Sequence, residues 1–249
     1  MKSKPLFFFL LLQIFLTALS AWSDEALSAM DILRKVDHVM NAPKDQKMQA
    51  TLILDDGKGN RKERVIQMMQ KGSDRRLSRF LSPADQKGIS VLTLPQDVIY
   101  LYLPAFKKTK RIASHIKNQR FAGTDFSYED LEAREYAKDY SPTLLRTETG
   151  EYVLELIPHD TNSEYSKHIL WVRRDNFVIA QSEMYDKKGK LYKKLLSAGI
   201  EKIDGYWVVK ERQMIDLTNG HSTKMVMQDI RFDSGLSDEL FTQRYMERY

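Results

Sequence analysis

Hydrophobic residues along this chain keep two different periods, and the change of period divides it. Between residues 24 and 40, Ala26, Met30, Leu33, Val36 and Met40 recur at helical spacing, with Asp31, Arg34, Lys35 and Asp37 largely between them. The pattern predicts an amphipathic helix over 24–40 whose apolar side covers a sheet. Asn41-Ala42-Pro43 ends it, because proline has no amide to continue the bonding and keeps the preceding residue out of helical geometry. From residue 47 the period shortens to that of strands. Strand-like runs occupy 47–54, 63–70 and 75–81, with turns at 55–60 and 72–74. Two more cover 90–94 and 98–103, on either side of 95–97. Ile99, Leu101 and Leu103 share one face of the latter, and Tyr100 and Tyr102 share the other. A strand apolar on both faces is covered on both.

A basic, proline-led turn is expected at 104–111, followed by a glycine-aromatic loop at 121–128. A short helix is expected over 127–134, where Ser127 and Asp130 stand at capping-box spacing. After Pro142 the strands resume, punctuated by Gly150, Asp175-Asn176, Asp204-Gly205 and Asn219-Gly220. Asp-Gly and Asn-Gly between β-rich runs are strong hairpin signals. The last run covers 222–232, and the tail from Ser237 starts as a helix. The sum is about ten or eleven antiparallel strands, with one helix in front and one between two sheet halves. The predicted class is mainly β with some helix (α+β): one strongly curved antiparallel sheet wrapped around its helices.

Residues 1–23 stand apart from this pattern. Lys2 and Lys4 precede an apolar run over 6–19, and small residues follow at Ala18, Ser20, Ala21 and Ser23. This is the pattern of a secretory signal peptide, too short for a membrane span of roughly 20 apolar residues. Cleavage after Ser23 fits best, and cleavage after Ser20 or Ala21 also fits. The remainder, 24–249, suits one domain. A protein of the periplasm of a Gram-negative bacterium is expected. With no cysteine among 249 residues, neither a lipid anchor nor a disulfide is available, so burial and hydrogen bonds must hold the fold. The formal net charge of +5 falls slightly when Lys2 and Lys4 leave, and says little about partners.

Candidate chemistry is sparse. His38, His115, His159, His168 and His221 form no metal-ligand pair, and there is no cysteine nucleophile, serine elbow or full phosphate loop. Gly57–Lys62 reads as a hairpin turn, and Asp125, Glu129 and Asp130 as acids at a helix start. No catalytic residue, metal or cofactor is expected, so no enzyme is. A basic run, Lys107, Lys108, Lys110 and Arg111, then Lys117 and Arg120, is edged by Phe106 and Phe121. It reads either as an ordinary solvated loop or as a docking surface for an anionic headgroup or acidic partner. The exported character argues against nucleic acid. Methionines crowd the strands at Met48, Met68, Met69, Met184, Met214, Met225 and Met227. Methionine fills cores, and its flexibility also suits adaptable binding surfaces.

Several strings carry a resemblance: Leu81-Ser-Pro-Ala-Asp, Leu101-Tyr-Leu-Pro-Ala, Lys110-Arg111-Ile112, Gly123-Thr-Asp-Phe-Ser-Tyr-Glu-Asp-Leu and Leu236-Ser-Asp-Glu-Leu-Phe-Thr-Gln-Arg-Tyr. In that order they resemble the bacterial outer-membrane lipoprotein-sorting protein family across essentially the whole of 24–249. The resemblance implies a LolA/LolB-like fold, an incomplete antiparallel β-barrel with helices as a lid over an apolar cavity. It also implies a monomeric periplasmic carrier for lipoprotein acyl chains or another lipid, moving cargo towards the outer membrane, with an RND-type inner-membrane exporter as a partner. The alternative is an interaction module that docks on such an exporter through its basic surface and carries nothing. Strand alternation assigns Ile66, Met68, Leu92, Leu94, Ile99, Leu101, Leu103, Trp171, Met214, Met225 and Met227 to the lining, and the docking reading uses Lys107, Lys108, Lys110 and Arg111.

Overall fold

A computed structural model describes residues 27–96, 98–132 and 134–248. The predicted leader, residues 1–23, lies outside the described residues. Helix α1 (Ala29–Met40) is capped by Ser28, whose hydroxyl accepts from the Asp31 amide at 3.1 Å. Ile32, Leu33 and Val36 are its buried face. The first meander follows: β1 (Asp45–Asp55), β2 (Arg61–Lys71), β3 (Arg75–Ser82), β4 (Ser90–Leu94), β5 (Val98–Leu103) and β6 (Lys108–Arg111). A long connection leads through α2 (Tyr136–Asp139) into the second: β7 (Tyr140–Thr147), β8 (Glu151–Pro158), β9 (Tyr165–Arg173), β10 (Ile179–Asp186), β11 (Leu191–Ile203), β12 (Tyr206–Asp216) and β13 (Ser222–Phe232). A short helical turn and α3 (Gln243–Glu247) complete the chain.

All thirteen strands join one antiparallel sheet in the order β6-β5-β4-β3-β2-β1-β13-β12-β11-β10-β9-β8-β7. The two meanders meet in the middle, where β1 pairs with β13. The outermost strands β6 and β7 do not pair, so the sheet stays unclosed. It is nevertheless strongly curled. Ala50, Leu52, Ile66, Phe80, Val91 and Ile99 from one half share a single core with Tyr165, Met184, Met214, Met225 and Met227 from the other. A flat sheet would hold β5 and β9 about 40 Å apart at the usual strand spacing. Among the described residues, no helix is long and apolar enough to cross a membrane.

Three segments cover the sheet. On the concave face α1 packs over Leu154, Leu156, Leu170 and Val172 of β8 and β9. Asp37 of α1 also accepts from the Tyr136 and Ala137 amides at 2.7 and 2.8 Å, which fixes the start of α2. The connection between β6 and α2 fills the rest of the concave face with Ile112, Phe121, Phe126 and Tyr128. On the convex face the C-terminal segment lays Phe241 and Met246 over Met69, Leu77, Leu92 and Tyr102. Polar anchors hold that segment, two of them on the buried residues Asp45 and Arg79. The buried Asp45 carboxylate accepts from the amides of Ser234, Gly235 and Leu236 and from the Ser234 hydroxyl. Arg79 reaches the carbonyls of Tyr245 and Met246 at 2.9 and 3.2 Å.

The structure corrects several expectations. The basic segment 104–111 is not only a turn, because Lys108–Arg111 forms edge strand β6 on β5. No helix spans 127–134; a single 3-10 turn at Glu129–Leu131 precedes α2. The Ser127–Asp130 capping pair does form, with Asp130 N donating to Ser127 Oγ at 3.2 Å and Ser127 N to Asp130 Oδ2 at 2.8 Å. Ile99 and Leu101 face the concave core, and Tyr100 and Tyr102 face the C-terminal segment, so β5 is covered on both sides.

Candidate functional site

The connection between β6 and α2 has almost no regular structure, so its backbone needs other partners. It finds them in a buried polar network built from the Gly123–Leu131 string. The Asp125 carboxylate accepts from the Thr223 hydroxyl at 2.7 Å, and the Thr223 Oγ1 in turn accepts from the Asp125 amide at 3.0 Å. Glu129 accepts from the Ser163 hydroxyl at 2.5 Å and from the Glu164 amide at 2.7 Å. Lys193, only 1% exposed, sets its ammonium 3.3 Å from Asp130, 3.3 Å from Glu164 and 3.0 Å from the Tyr165 hydroxyl. Burial opposes charge on the Lys193 amine, but the Asp130 and Glu164 carboxylates outweigh it and raise its pKa. Arg120 bonds Asp216 at the other end of the segment. These bonds clamp the segment across the concave face as a fixed inner wall. The acids Asp125, Glu129 and Asp130 thus serve as anchors.

Beside this wall the concave face leaves a cavity of about 250 Å³. Val39 and Met40 at the end of α1 bound one side, and Phe126 and Leu131 of the inner wall another. The sheet contributes Met48, Met68, Met225 and Met227 from the two central hairpins, with Trp207 and Val208 of β12 and Phe232 at the end of β13. Methionines meet here because β1 and β13 are in register, with Ala50 opposite Met227 and Leu52 opposite Met225. These sheet methionines, with Met40 of α1, give a lining that repacks readily around different apolar shapes. A second hollow, of about 320 Å³, is lined mainly by polar residues including Lys47, Gln49, Gln67, Asp229 and Arg231. It has the larger volume but lacks the apolar lining that ligand pockets share.

Three charged residues interrupt the apolar cavity: Asp130 of the inner wall and two arginines from the sheet. Arg76 enters from β3 and Arg212 from β12. Arg76 donates to the Glu132 carbonyl oxygen at 2.8 Å, and its Nε is buried without a hydrogen-bond partner. Burial pulls the Arg76 pKa down to about 10, with the nearby Arg212 guanidinium adding to the effect. Burial lowers that of Arg212 as well.

The residues singled out in the sequence fall in different places. Met68, Met225 and Met227 line the cavity. Ile66, Ile99, Leu101 and Met214 face the same side but belong to the core packed with the inner wall. Leu92 and Leu94 point the other way and pack under the C-terminal segment. Leu103 is half-buried near the sheet edge and joins none of the apolar cores. Trp171 stands on the face opposite Leu170 and Val172, with the Arg146 guanidinium 6.0 Å from its ring. Lys107, Lys108, Lys110 and Arg111 are all exposed, on the turn before β6 and on β6 itself. Sequence reasoning missed Arg76 and Arg212. A lone arginine on a strand reads as solvent-facing, and nothing in the alternation shows that the sheet curls around it. Among the described residues no group of three or more His, Asp or Glu side chains could hold a metal ion.

Comparison with known proteins yields relatives over most of the chain. A family model described as an uncharacterized protein matches residues 72–248. No curated protein matches. Among solved structures, a domain assigned as an outer membrane lipoprotein-sorting protein, from Vibrio parahaemolyticus, is 30% identical, covers 88% of this chain and 98% of its own, and superposes with a TM-score of 0.83. A DUF1329 family protein from Desulfovibrio piger is 29% identical, with 88% and 97% coverage and a TM-score of 0.83. A LolA superfamily protein from Nitrosomonas europaea is 24% identical, with 88% and 100% coverage and a TM-score of 0.76, a likeness of fold.

Proposed function

The chain belongs to the outer-membrane lipoprotein-sorting family, with a LolA-like fold, and from that premise we propose that it is a periplasmic carrier that holds an acyl chain in its concave cavity. The observation that carries this reading is the cavity of about 250 Å³ where Met48, Met68, Met225 and Met227 converge. An acyl chain left in water costs about 0.8 kcal/mol for every exposed CH₂. A carrier needs only an apolar recess with an adaptable lining, and methionine supplies that adaptability. The leader-like segment 1–23 supports an exported location, with cleavage after Ser23; in this reading the remainder, 24–249, is a single domain that acts as a monomer. Transfer runs towards the outer membrane in this reading.

The test is mass spectrometry on protein purified from periplasm without detergent, intact under native conditions and after organic extraction. A stoichiometric lipid or lipoprotein is the expected result. An empty protein that also takes up no fluorescent fatty acid would overturn the carrier reading.

One observation favours a second role beside the first. Edge strand β6 presents Lys108, Lys110 and Arg111 to solvent on a strand paired on one side only, next to Phe106, which is 69% exposed. Charged residues guard edge strands against pairing, and they also steer association with an acidic partner. An RND-type exporter is the partner this reading assigns. Charge reversal at Lys107, Lys108 and Lys110 would then release a co-purifying complex, and a complex that survives the reversal would discard this surface.

A further inference from the structure

Among the described residues several interior cations are matched to acceptors, whereas two that face the same space are not. Lys193 has two carboxylates, Arg120 has Asp216, Arg134 has Glu129, and Arg79 caps two carbonyls. Arg76 has one neutral carbonyl and a buried Nε with no partner. The Arg212 side chain has no hydrogen bond or ion pair among the described residues. The two arginines come from β3 and β12, which three strands separate in the sheet order, so they enter the cavity from different parts of its wall. The one carboxylate in that lining, Asp130, is already engaged by Ser127, Tyr165 and Lys193.

An uncompensated charge in an apolar recess is strongly unfavourable, and two like charges close together are worse. Both guanidiniums remain protonated at neutral pH, Arg76 with a pKa of about 10. What relieves such a pair is an anion delivered into the cavity, and guanidinium is the group best matched to carboxylate or phosphate oxygens. Apart from Gln46, Gln70, Ser78 and Asp130, the rest of the lining is apolar and suits an apolar body. An engineered cavity of ~150 Å³ accepts benzene, so the space here takes about ten carbon atoms, a stretch of one chain.

We infer that the cargo is a single-chain anionic amphiphile, its carboxylate or phosphate head held between Arg76 and Arg212 and its chain laid along the methionines. The inference rests on the carrier reading and names the chemical class that the carrier selects.

The experiment titrates delipidated protein by calorimetry with decanoate, decyl phosphate, 1-decanol, decyltrimethylammonium and inorganic phosphate. Decanoate and decyl phosphate are expected to bind at least tenfold more tightly than 1-decanol, with the quaternary ammonium weaker still. Arg76→Gln and Arg212→Gln each narrow the preference for decanoate over 1-decanol to less than threefold. Equal affinity of the wild-type protein for decanoate and 1-decanol overturns the inference while leaving the carrier reading intact, and needs no variant to fold. Inorganic phosphate binding as tightly as decyl phosphate also overturns it, by assigning the arginines to a free anion. If neither decanoate nor 1-decanol binds, the carrier reading itself falls, and the cargo class with it.

Discussion

The Lys193 ammonium lies 3.3 Å from the Asp130 carboxylate, and the pair ties the second sheet half to the inner wall. Burial raises the Asp130 pKa, but Lys193 and the Ser127 amide outweigh it, so the carboxylate stays ionised. Lys193→Met keeps the apolar stem and removes the charge. It leaves Asp130 and Glu164 buried without their cation, so we expect a loss of about 3–5 kcal/mol in urea unfolding. A loss below 1 kcal/mol would show that the inner wall does not depend on this bridge.

His168 sets the acid limit. It sits between the Tyr140 and Tyr165 rings, at 5.3 and 4.8 Å, with Nε2 buried and unbonded. Burial, with the Arg134 charge next, drops its pKa from 6.5 to about 3. Between those values only the unfolded chain takes up the proton. Stability from the neutral ring is therefore full above pH 6.5 and lost as pH falls towards 3, by up to ~1.4 kcal/mol per pH unit. His168→Phe keeps the ring packing and removes the proton site. Its unfolding free energy, followed from pH 7 to pH 4, should fall less steeply than that of the wild type. Parallel curves would exclude His168 as the cause.

Asp45 governs the convex face. Burial pushes its carboxyl up, but the bonds from Leu236, Ser234 and Gly235 hold it below the usual range. Asp45→Ala removes four acceptor contacts at once and frees the turn leading into the C-terminal segment. We expect a loss of about 3 kcal/mol, since hydrogen bonds to charged groups are worth roughly 1.5–3 kcal/mol each and do not add fully. Hydrogen exchange at Phe241 and Met246 should rise before that of β1. Exchange that rises uniformly would contradict a local anchor.

The unmatched arginines make an opposite prediction. In delipidated protein Arg212→Gln should stabilise by up to about 1 kcal/mol, because it removes a half-buried charge without an ion-pair partner from the cavity wall. In a domain of this size that raises Tm by about 2–4 °C per kcal/mol. A lower Tm would mean that Arg212 supports the fold.

Much of this architecture was legible in the sequence, for particular reasons. Asp204-Gly205 and Asn219-Gly220 mark real hairpins: the first is a two-residue turn with both residues at positive φ, and the second lies in the five-residue connection 217–221, with Gly220 at positive φ. Ile99 and Tyr100 revealed a strand covered on both faces. Strand β6 was hidden because Lys108, Lys110 and Arg111 read as a solvated turn, although edge strands are where such charges belong. Leu92 and Leu94 were assigned to the wrong face for the cavity, because alternation gives two faces without saying which is concave. Trp171 went astray for the same reason. The inner wall, built on Asp125, Glu129 and Asp130, has no period at all. Its order comes from side chains 30 to 100 positions away, such as Lys193 and Thr223, which no local window can pair.

The pairing of β1 with β13 also sets a timetable. A chain made from its N-terminus has β1 long before β13 exists, and Met225 and Met227 are among the last wall residues to arrive. Until then the recess has no floor and the first meander ends in an unpaired middle edge. In the carrier reading, cargo therefore cannot be picked up by a nascent or partly translocated chain, and loading begins only with a finished one.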